Sequence, residues 1–325
     1  MPRSSMNLWR VRRVSRHTGL YPAALLLAAP LAACAQTPAA TPVPATVGAS
    51  QQIDFTSAVN GKTYRITIAK PYALPPKGGY PVVYVLDGGA YFGTFAGAAR
   101  LRSVPGAGEL APAIIVGVSY PSESMLVAQT RRLLDLTHNA PDAETQARDA
   151  ATGPVEYGGA DAFYKVIEIE IRPRVAAVAQ VAPGKDVLFG HSLGGLFVLH
   201  TMFQHPDAFR TYLALSPSIH WTGRSVLEDE AAFSAKVTVG KTAPRLFIGV
   251  GGEEQSPLQF RSAEAAAEAR MVDNATELAQ RLQALEGATG YRVESKVFPG
   301  QSHMSVPWEA LNTMLNFALG ESSGT

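Results

Sequence analysis

One short segment, Gly190-His191-Ser192-Leu193-Gly194, constrains this chain more than any other. A brief apolar stretch, Asp186-Val187-Leu188-Phe189, leads directly into it. Gly195-Leu196-Phe197-Val198-Leu199-His200 continues from it as an apolar helix. A strand that turns at once into a helix leaves almost no room around the turn, so the residues two before and two after the serine must be small. Gly190 and Gly194 meet that need, and Gly195 lets the helix pack close to the strand. Without the flanking strand and helix the glycines would read as a packing turn. With them, the segment predicts a serine hydroxyl held at a strained turn beside the free N–H groups of a helix N-terminus.

The remaining apolar runs say what surrounds that turn. Ile53 to Ala58 and Thr63 to Ala69 flank Asn60-Gly61, the pair that supplies a type I′ hairpin turn. Val82 to Leu86, Ala113 to Val118, Tyr212 to Leu215 and Leu246 to Val250 are continuous apolar runs of the length of strands buried on both faces. Arg292 to Phe298 alternates. Between them, Ala160 to Ala179, Leu193 to Phe203, Pro257 to Leu285 and Pro307 to Leu319 have helical composition. A hairpin followed by alternating strands and helices implies an α/β fold, with a mostly parallel central sheet covered by helices on both faces. Residues 121–159 break this pattern: they are polar, carry several Gly and Pro, and show no clear period. A connection of that length usually carries function or forms a lid.

Charge narrows the choice of partners. There are 28 Lys and Arg against 27 Asp and Glu, a formal net charge of +1, so no long-range field recruits nucleic acid. The single cysteine, Cys34, allows no intramolecular disulfide and no Cys/His zinc cage. The chemistry expected of Ser192 needs neither metal nor organic cofactor.

A serine hydroxyl is a poor nucleophile until a base takes its proton. His303 is the candidate, because it lies between the last strand and the last helix, where the base of a Ser–acid–His order falls. His191 and His200 are expected to pack against the turn. His205, before Pro206, suits a cation at a helix C-terminus. His138 lies in the irregular insert. The acid belongs after the Leu246 to Val250 strand, at Glu253 or Glu254, unless Ser192 and His303 work as a dyad. One oxyanion donor is the N–H of Leu193. The second comes from the loop Asp87-Gly88-Gly89-Ala90, with Gly89 preferred. Arg131 and Arg132 could hold an anionic substrate, although Asp135 is within helical reach as a partner. Trp221, Tyr91 and Phe92 follow strand ends and could line a pocket or simply pack. Ser216 and Ser218 read as turn formers.

These residues resemble a known group. Val83-Tyr84-Val85-Leu86-Asp87-Gly88, Gly117-Val118-Ser119-Tyr120-Pro121, Arg132-Leu133-Leu134-Asp135-Leu136-Thr137, the segment Gly190 to Leu199, Pro206-Asp207-Ala208-Phe209 and Leu215-Ser216-Pro217-Ser218-Ile219-His220-Trp221 together are similar to the esterase D- and enterochelin-esterase-like branch of the α/β-hydrolase superfamily. The likeness spans about residues 50–320. It implies the α/β-hydrolase fold and ester cleavage through an acyl-serine intermediate, with siderophore trilactone or catecholate esters as the nearest substrates. A Val-Gly-x-x-Glu pattern in that branch falls on Glu254; of the residues that could contact substrate, Arg132 and Trp221 are preferred. The chain departs from the branch at His220-Trp221, where two aromatics are usual, and at the unusual run Ile167-Glu168-Ile169-Glu170-Ile171. Acyl transfer to a sugar, or binding without catalysis, are the alternatives on the same scaffold.

The N-terminus reads as an address. Arg3, Arg10, Arg12, Arg13 and Arg16 precede an apolar stretch from Leu20 to Leu31, followed by Ala32-Ala33-Cys34. This resembles a bacterial lipoprotein signal, with Cys34 as the lipidated residue and a protein attached to a periplasmic membrane surface. Plain cleavage at Ala33-Cys34-Ala35 would leave a soluble periplasmic or secreted protein, and Arg12-Arg13 is a poor twin-arginine match. The organisation expected is a signal at 1–34, an Ala/Pro/Thr-rich linker at 35–50 and a catalytic domain at 51–322.

Overall fold

The computed structural model describes residues 48–320 apart from 107–108, 123–124, 152, 258–261, 286 and 288. The signal, Cys34 and most of the linker lie outside the described residues.

Eight strands form one sheet. They are β1 (Ser50–Thr56), β2 (Thr63–Ala69), β3 (Val82–Val85), β4 (Ile114–Ser119), β5 (Val187–His191), β6 (Thr211–Leu215), β7 (Arg245–Gly251) and β8 (Arg292–Phe298), in spatial order β1-β2-β4-β3-β5-β6-β7-β8. The first two run antiparallel to their neighbours and the rest are parallel. Alternate residues of β3 divide between the two faces: Val82 and Tyr84 join one apolar cluster, Val83 and Val85 the other. Helices α1 (Gly88–Arg102) and α10 (Val306–Leu319) cover the second face, with Phe92, Phe95, Met314 and Leu315 against Phe189 and Leu213. The first face is covered by α2 (Met125–Asp135), α4 (Ala160–Val166), α6 (Leu193–Gln204), α7 (Glu230–Thr238) and α9 (Met271–Gln283), while α3 (Ala143–Ala150), α5 (Arg172–Ala176) and α8 (Ala263–Ala269) complete the set.

Several local expectations need correction. The hairpin does not close on a two-residue I′ turn. Only Gly61 has a positive φ, 70°, and the loop spans Ser57 to Lys62, with Gly61 N–H donating to Ser57 O at 2.9 Å. Ser57 Oγ and Asn60 Oδ1 accept local backbone N–H groups and stabilise this wider loop. Residues 121–159 are not irregular throughout, since they hold α2 and α3. Ala160 to Ala179 is broken into α4, a π turn at Ile167–Ile171 and α5. Pro173 cannot donate to Ile169, and the widened π turn is where the backbone takes up that defect. The helix expected over 257–285 is two helices, α8 and α9, separated by Arg270 in the left-handed region at φ 43°. A further helix, α1, begins where only a loop was expected. Two glycines at its start hid it, because glycine lowers helix propensity. A 3₁₀-type segment (Trp221–Asp229) and α7 also went unread between β6 and β7.

Candidate active site

Parallel strands all present their C-terminal ends at one edge, and a doubly covered sheet opens its crevice there. Asp87 follows β3, Ser192 follows β5, Ser216 follows β6, Glu254 follows β7 and His303 follows β8. Residues scattered over more than two hundred positions thus reach one rim.

Ser192 sits at φ 62°, ψ −119°, a conformation that costs a non-glycine residue roughly 1–3 kcal/mol and persists only where its surroundings impose it. Its N–H donates to Leu215 O on β6 at 3.0 Å, and its carbonyl accepts from Leu196 and Ser218 N–H at 3.0 and 3.1 Å. The glycines impose the turn unequally. A Cβ on Gly190 would stand 2.1 Å from Gly194 O, and one on Gly195 would stand 2.8 Å from Leu215 O. A Cβ on Gly194 would find its nearest neighbour, Asp87 Oδ2, at 3.5 Å, an ordinary contact. Gly190 and Gly195 are therefore the sterically obligatory pair, rather than Gly190 and Gly194.

Glu254 is buried, at 1% exposure, and both its oxygens are occupied. Oε2 meets His303 Nδ1 at 2.6 Å, while Oε1 accepts from Ser216 Oγ at 2.5 Å and Gly251 N–H at 2.6 Å. Charge-assisted bonds this short suit a carboxylate that fixes an imidazole's tautomer and direction. The glycines at the end of β7 make the meeting possible. A Cβ on Gly251 would come within 2.3 Å of Gln301 O, and Gly252 N–H donates to Phe298 O at 2.8 Å, so the loops after β7 and β8 lie directly against each other. Glu253 is exposed, with its N–H on Gln301 O.

The imidazole of His303 lies 4.4 Å, ring to ring, from His191, the residue before Ser192. Burial, followed by the proximity of His303 and Arg132, holds His191 well below the ordinary histidine range, and its Nδ1 is hydrogen-bonded to Tyr91 OH at 2.9 Å. Burial and His303 likewise depress His220. Two neutral imidazoles therefore flank His303, and neither repels an imidazolium formed there. Burial and Asp87 push the Tyr91 phenol up to about 12, so it stays protonated. Tyr91 in turn packs 5.8 Å from Trp308, whose indole is exposed beside the His303 loop.

After β3, at the same rim, Asp87 adopts φ 52° and opens α1. The first-turn N–H groups of a helix have no carbonyl four residues earlier to accept from them, which leaves the N-termini of α1, at Gly88-Gly89, and α6, at Leu193, able to donate to an anion. Gly88 is packed so closely that a Cβ would stand 2.7 Å from Gly117 C, whereas Gly89 is open. Arg132 reaches across from α2 and binds Asp87 Oδ1 through Nε at 2.7 Å. Burial works against its charge, but Asp87 outweighs that and keeps the guanidinium charged. Arg131 pairs with Asp135 at 3.1 Å, as its helical spacing allows. Trp221 is half-buried, its Nε1 held by Asn139 of the insert at 3.2 Å.

Two serines read as turn formers hold positions in this site. Ser216, at φ 44°, donates to Glu254, and Ser218 Oγ lies 3.4 Å from Ser192 Oγ. Their signal was positional: Leu215-Ser216-Pro217-Ser218 ends the strand next to the one carrying Ser192. The remaining histidines lie apart. His200 binds Asp161 at 2.9 Å and stacks on His138 at 5.0 Å, rather than packing against the turn. His205 stacks on Tyr164 at 4.2 Å, and burial lowers its pKa, so it is not the helix-end cation expected.

Comparison with known proteins places this geometry among relatives. The model of a family described as Putative esterase matches residues 57–316. Ferri-bacillibactin esterase BesA of Bacillus subtilis is 35% identical over 259 residues, covering 79% of this chain and 85% of that protein. A siderophore triacetylfusarinine C esterase of Aspergillus fumigatus is 34% identical over 266 residues, covering 76% and 85%. The crystal structure of a BES protein from Bacillus cereus superposes with a TM-score of 0.75 at 33% identity, covering 86% of this chain and 99% of that one.

Proposed function

The chain belongs to the Putative esterase family, and on that premise we propose that it hydrolyses siderophore esters through Ser192, with His303 as base and Glu254 as the acid that orients it. The observation that carries this reading is the contact at 2.6 Å between Glu254 Oε2 and His303 Nδ1, made at the same rim as the strained Ser192. With Nδ1 engaged by the carboxylate, Nε2 is the ring nitrogen that takes the serine proton.

In the first half-reaction Ser192 Oγ attacks the ester carbonyl carbon while His303 takes its proton. The carbonyl oxygen becomes an oxyanion, held by the N–H groups of Leu193 and Gly89 at the two helix N-termini. As the C–O bond to the alcohol breaks, His303 gives its proton to the leaving oxygen. Water then repeats the sequence on the acyl-serine and releases the acid. Trp221, tied to the insert by Asn139, is the residue we assign to the substrate side of the site, and Arg132, on α2, the one that holds Asp87 at the start of α1. The siderophore class comes from the relatives named above, which span a bacterium and a fungus.

We also assign residues 1–34 to a lipoprotein signal, with Cys34 as the lipidated residue and the enzyme on a periplasmic membrane surface. The support is the sole cysteine falling directly after Leu31-Ala32-Ala33.

Fluorophosphonate labelling tests the nucleophile. The wild-type protein is expected to be labelled and Ser192→Ala to be blank; labelling that persists in Ser192→Ala rejects Ser192. Turnover of a ferric trilactone siderophore well above that of p-nitrophenyl esters is expected for the substrate class, and no siderophore turnover rejects it.

A further inference from the structure

We propose that the face around Gly48, where the described chain enters the sheet, rests on the bilayer, and that the catalytic rim points away from it. This rests on the assignment of Cys34 as the lipid anchor.

The entry point is firmly attached. Arg100, near the C-terminus of α1, donates from its guanidinium to Gly48 O, to Ala49 O at 2.5 Å and to Lys70 O at 2.8 Å. Its charge is thereby turned inward. Three large apolar side chains are exposed on the segments that reach this edge of the sheet, the stretch after β2 and the last turn of α1: Tyr72 is 68% exposed, Leu74 is 87% and Leu101 is 74%. Tyr72 is placed by Arg100, whose guanidinium lies 5.9 Å from its ring, and Leu101 is the next residue of α1. Leu74 stands on the segment Lys70-Pro71-Tyr72-Ala73-Leu74-Pro75-Pro76-Lys77. Its prolines restrict the backbone, and Tyr80 OH binds Ala73 O at 2.8 Å, so the leucine is displayed rather than folded in.

A single exposed leucine would call for no explanation. Three such side chains on segments that reach the edge where an anchored chain arrives are different, because a bilayer supplies the apolar partner that water does not. Lys70 and Lys77 flank them. A tyrosine, two leucines and two lysines are the composition of an interfacial contact, with the ammonium groups at the level of anionic lipid headgroups. Gly48 lies fourteen positions after Cys34, which limits the span between them to about 50 Å even at full extension.

Topology then fixes the orientation. Ser50 pairs with Ala69, and Ala69 with Ile115 at the start of β4, so the chain enters at the N-terminal edge of the parallel strands. The catalytic rim is the C-terminal edge. Helix α1 links the two edges, from Gly88 after β3 to its last turn, where Arg100 holds Gly48; its 15 residues at about 1.5 Å each span about 22 Å. A protein resting on Tyr72, Leu74 and Leu101 presents Ser192 to the aqueous compartment, where a polar ester arrives.

The test uses the full-length lipoprotein in vesicles of phosphatidylethanolamine and phosphatidylglycerol. Cys34 is the only native cysteine, and its thiol is consumed by the lipid, so a cysteine introduced at Leu74, Leu101 or Met304 takes a single nitrobenzoxadiazole label. The expected result is about a threefold rise in emission, with strong quenching by nitroxide-labelled lipid, at positions 74 and 101, and neither at 304 on the catalytic rim. A label at Tyr72→Cys should lose its quenching when Leu74→Glu and Leu101→Glu are added, with the melting temperature showing that the fold is intact. Mass spectrometry of the Cys34 peptide separates the two claims. An unacylated peptide removes the anchor and this proposal with it. An acylated peptide with equal quenching at 74, 101 and 304 overturns the proposal alone. So does an emission rise at 74 and 101 that depends on protein concentration without lipid, which would give the face to a second copy of the chain.

Discussion

Glu254 and His303 meet at 2.6 Å across two loops that lie so close at Gly251 that a Cβ there would stand 2.3 Å from Gln301 O. The carboxylate is held from behind by Ser216 Oγ and Gly251 N–H, so it can neither rotate away from the imidazole nor be solvated instead. Removing the charge while keeping the shape isolates this relationship. Glu254→Gln is expected to lower kcat by about 10²–10⁴-fold with little change in folding. Ser216→Ala, which strips one donor from a buried carboxylate, should cost about 1–3 kcal/mol of stability by denaturant unfolding. Steady-state kinetics on a p-nitrophenyl ester check the first, and a Glu254→Gln enzyme within twofold of wild type would contradict the role assigned to the acid.

The strained backbone at Ser192 predicts a gain in stability when activity is removed in one particular way. Ser192→Gly relieves a φ of 62° and should stabilise the fold by about 1 kcal/mol, whereas Ser192→Ala keeps the strain and should not. Thermal melts of the two inactive variants decide it.

Around the same turn, Gly190→Ala and Gly194→Ala should differ sharply. The first puts a methyl 2.1 Å from a carbonyl oxygen and is expected to cost about 3 kcal/mol or more, or to prevent folding; the second, with its nearest neighbour at 3.5 Å, should cost less than about 1 kcal/mol. Equal unfolding midpoints would refute the steric account.

Arg132 offers a choice between two roles that kinetics can separate. If it grips substrate, Arg132→Lys raises KM and Asp87→Asn does not copy it. If it acts by holding Asp87 at the start of α1, both variants lower kcat by about tenfold with KM little changed, because each loosens the same oxyanion segment. The ion pair at 2.7 Å leads us to expect a fall in kcat shared by both.

Acid stability carries a histidine signature. Burial, followed by its neighbour His200, lowers the His138 pKa from 6.5 to about 4. As pH falls from about 6.5 to about 4, the unfolded chain takes up a proton there that the folded protein refuses, so stability is lost across that window. Asp135 and Asp186, pushed up to about 6 by burial, act in the opposite sense, gaining stability as pH falls from about 6 to about 3.8. His138→Gln should therefore show a smaller drop in melting temperature between about pH 7 and pH 4.5 than the wild type. A drop as large as the wild type's would count against a neutral His138.

The features readable from residue order alone were local and periodic. The apolar runs that became β3 to β7, the glycine-flanked serine and the histidine after the last strand were legible because each depends on neighbours a few positions away. The family resemblance added Glu254 to these. The relationships between distant loops exist only in the folded chain: Ser216 backs Glu254, His191 packs on His303 and is held by Tyr91, Arg132 crosses from the insert to Asp87, and Gly190 and Gly195, not Gly194, leave no room for a side chain. A strand's periodicity records which of its faces is buried, but not what its last residue will meet when parallel strands bring their ends to one rim. Helix α1 shows the same limit from the other side. Gly88 and Gly89 oppose a helix by propensity, and the helix forms because Tyr91, Phe92 and Phe95 bury their rings against the sheet, a gain that exists only once the sheet is there.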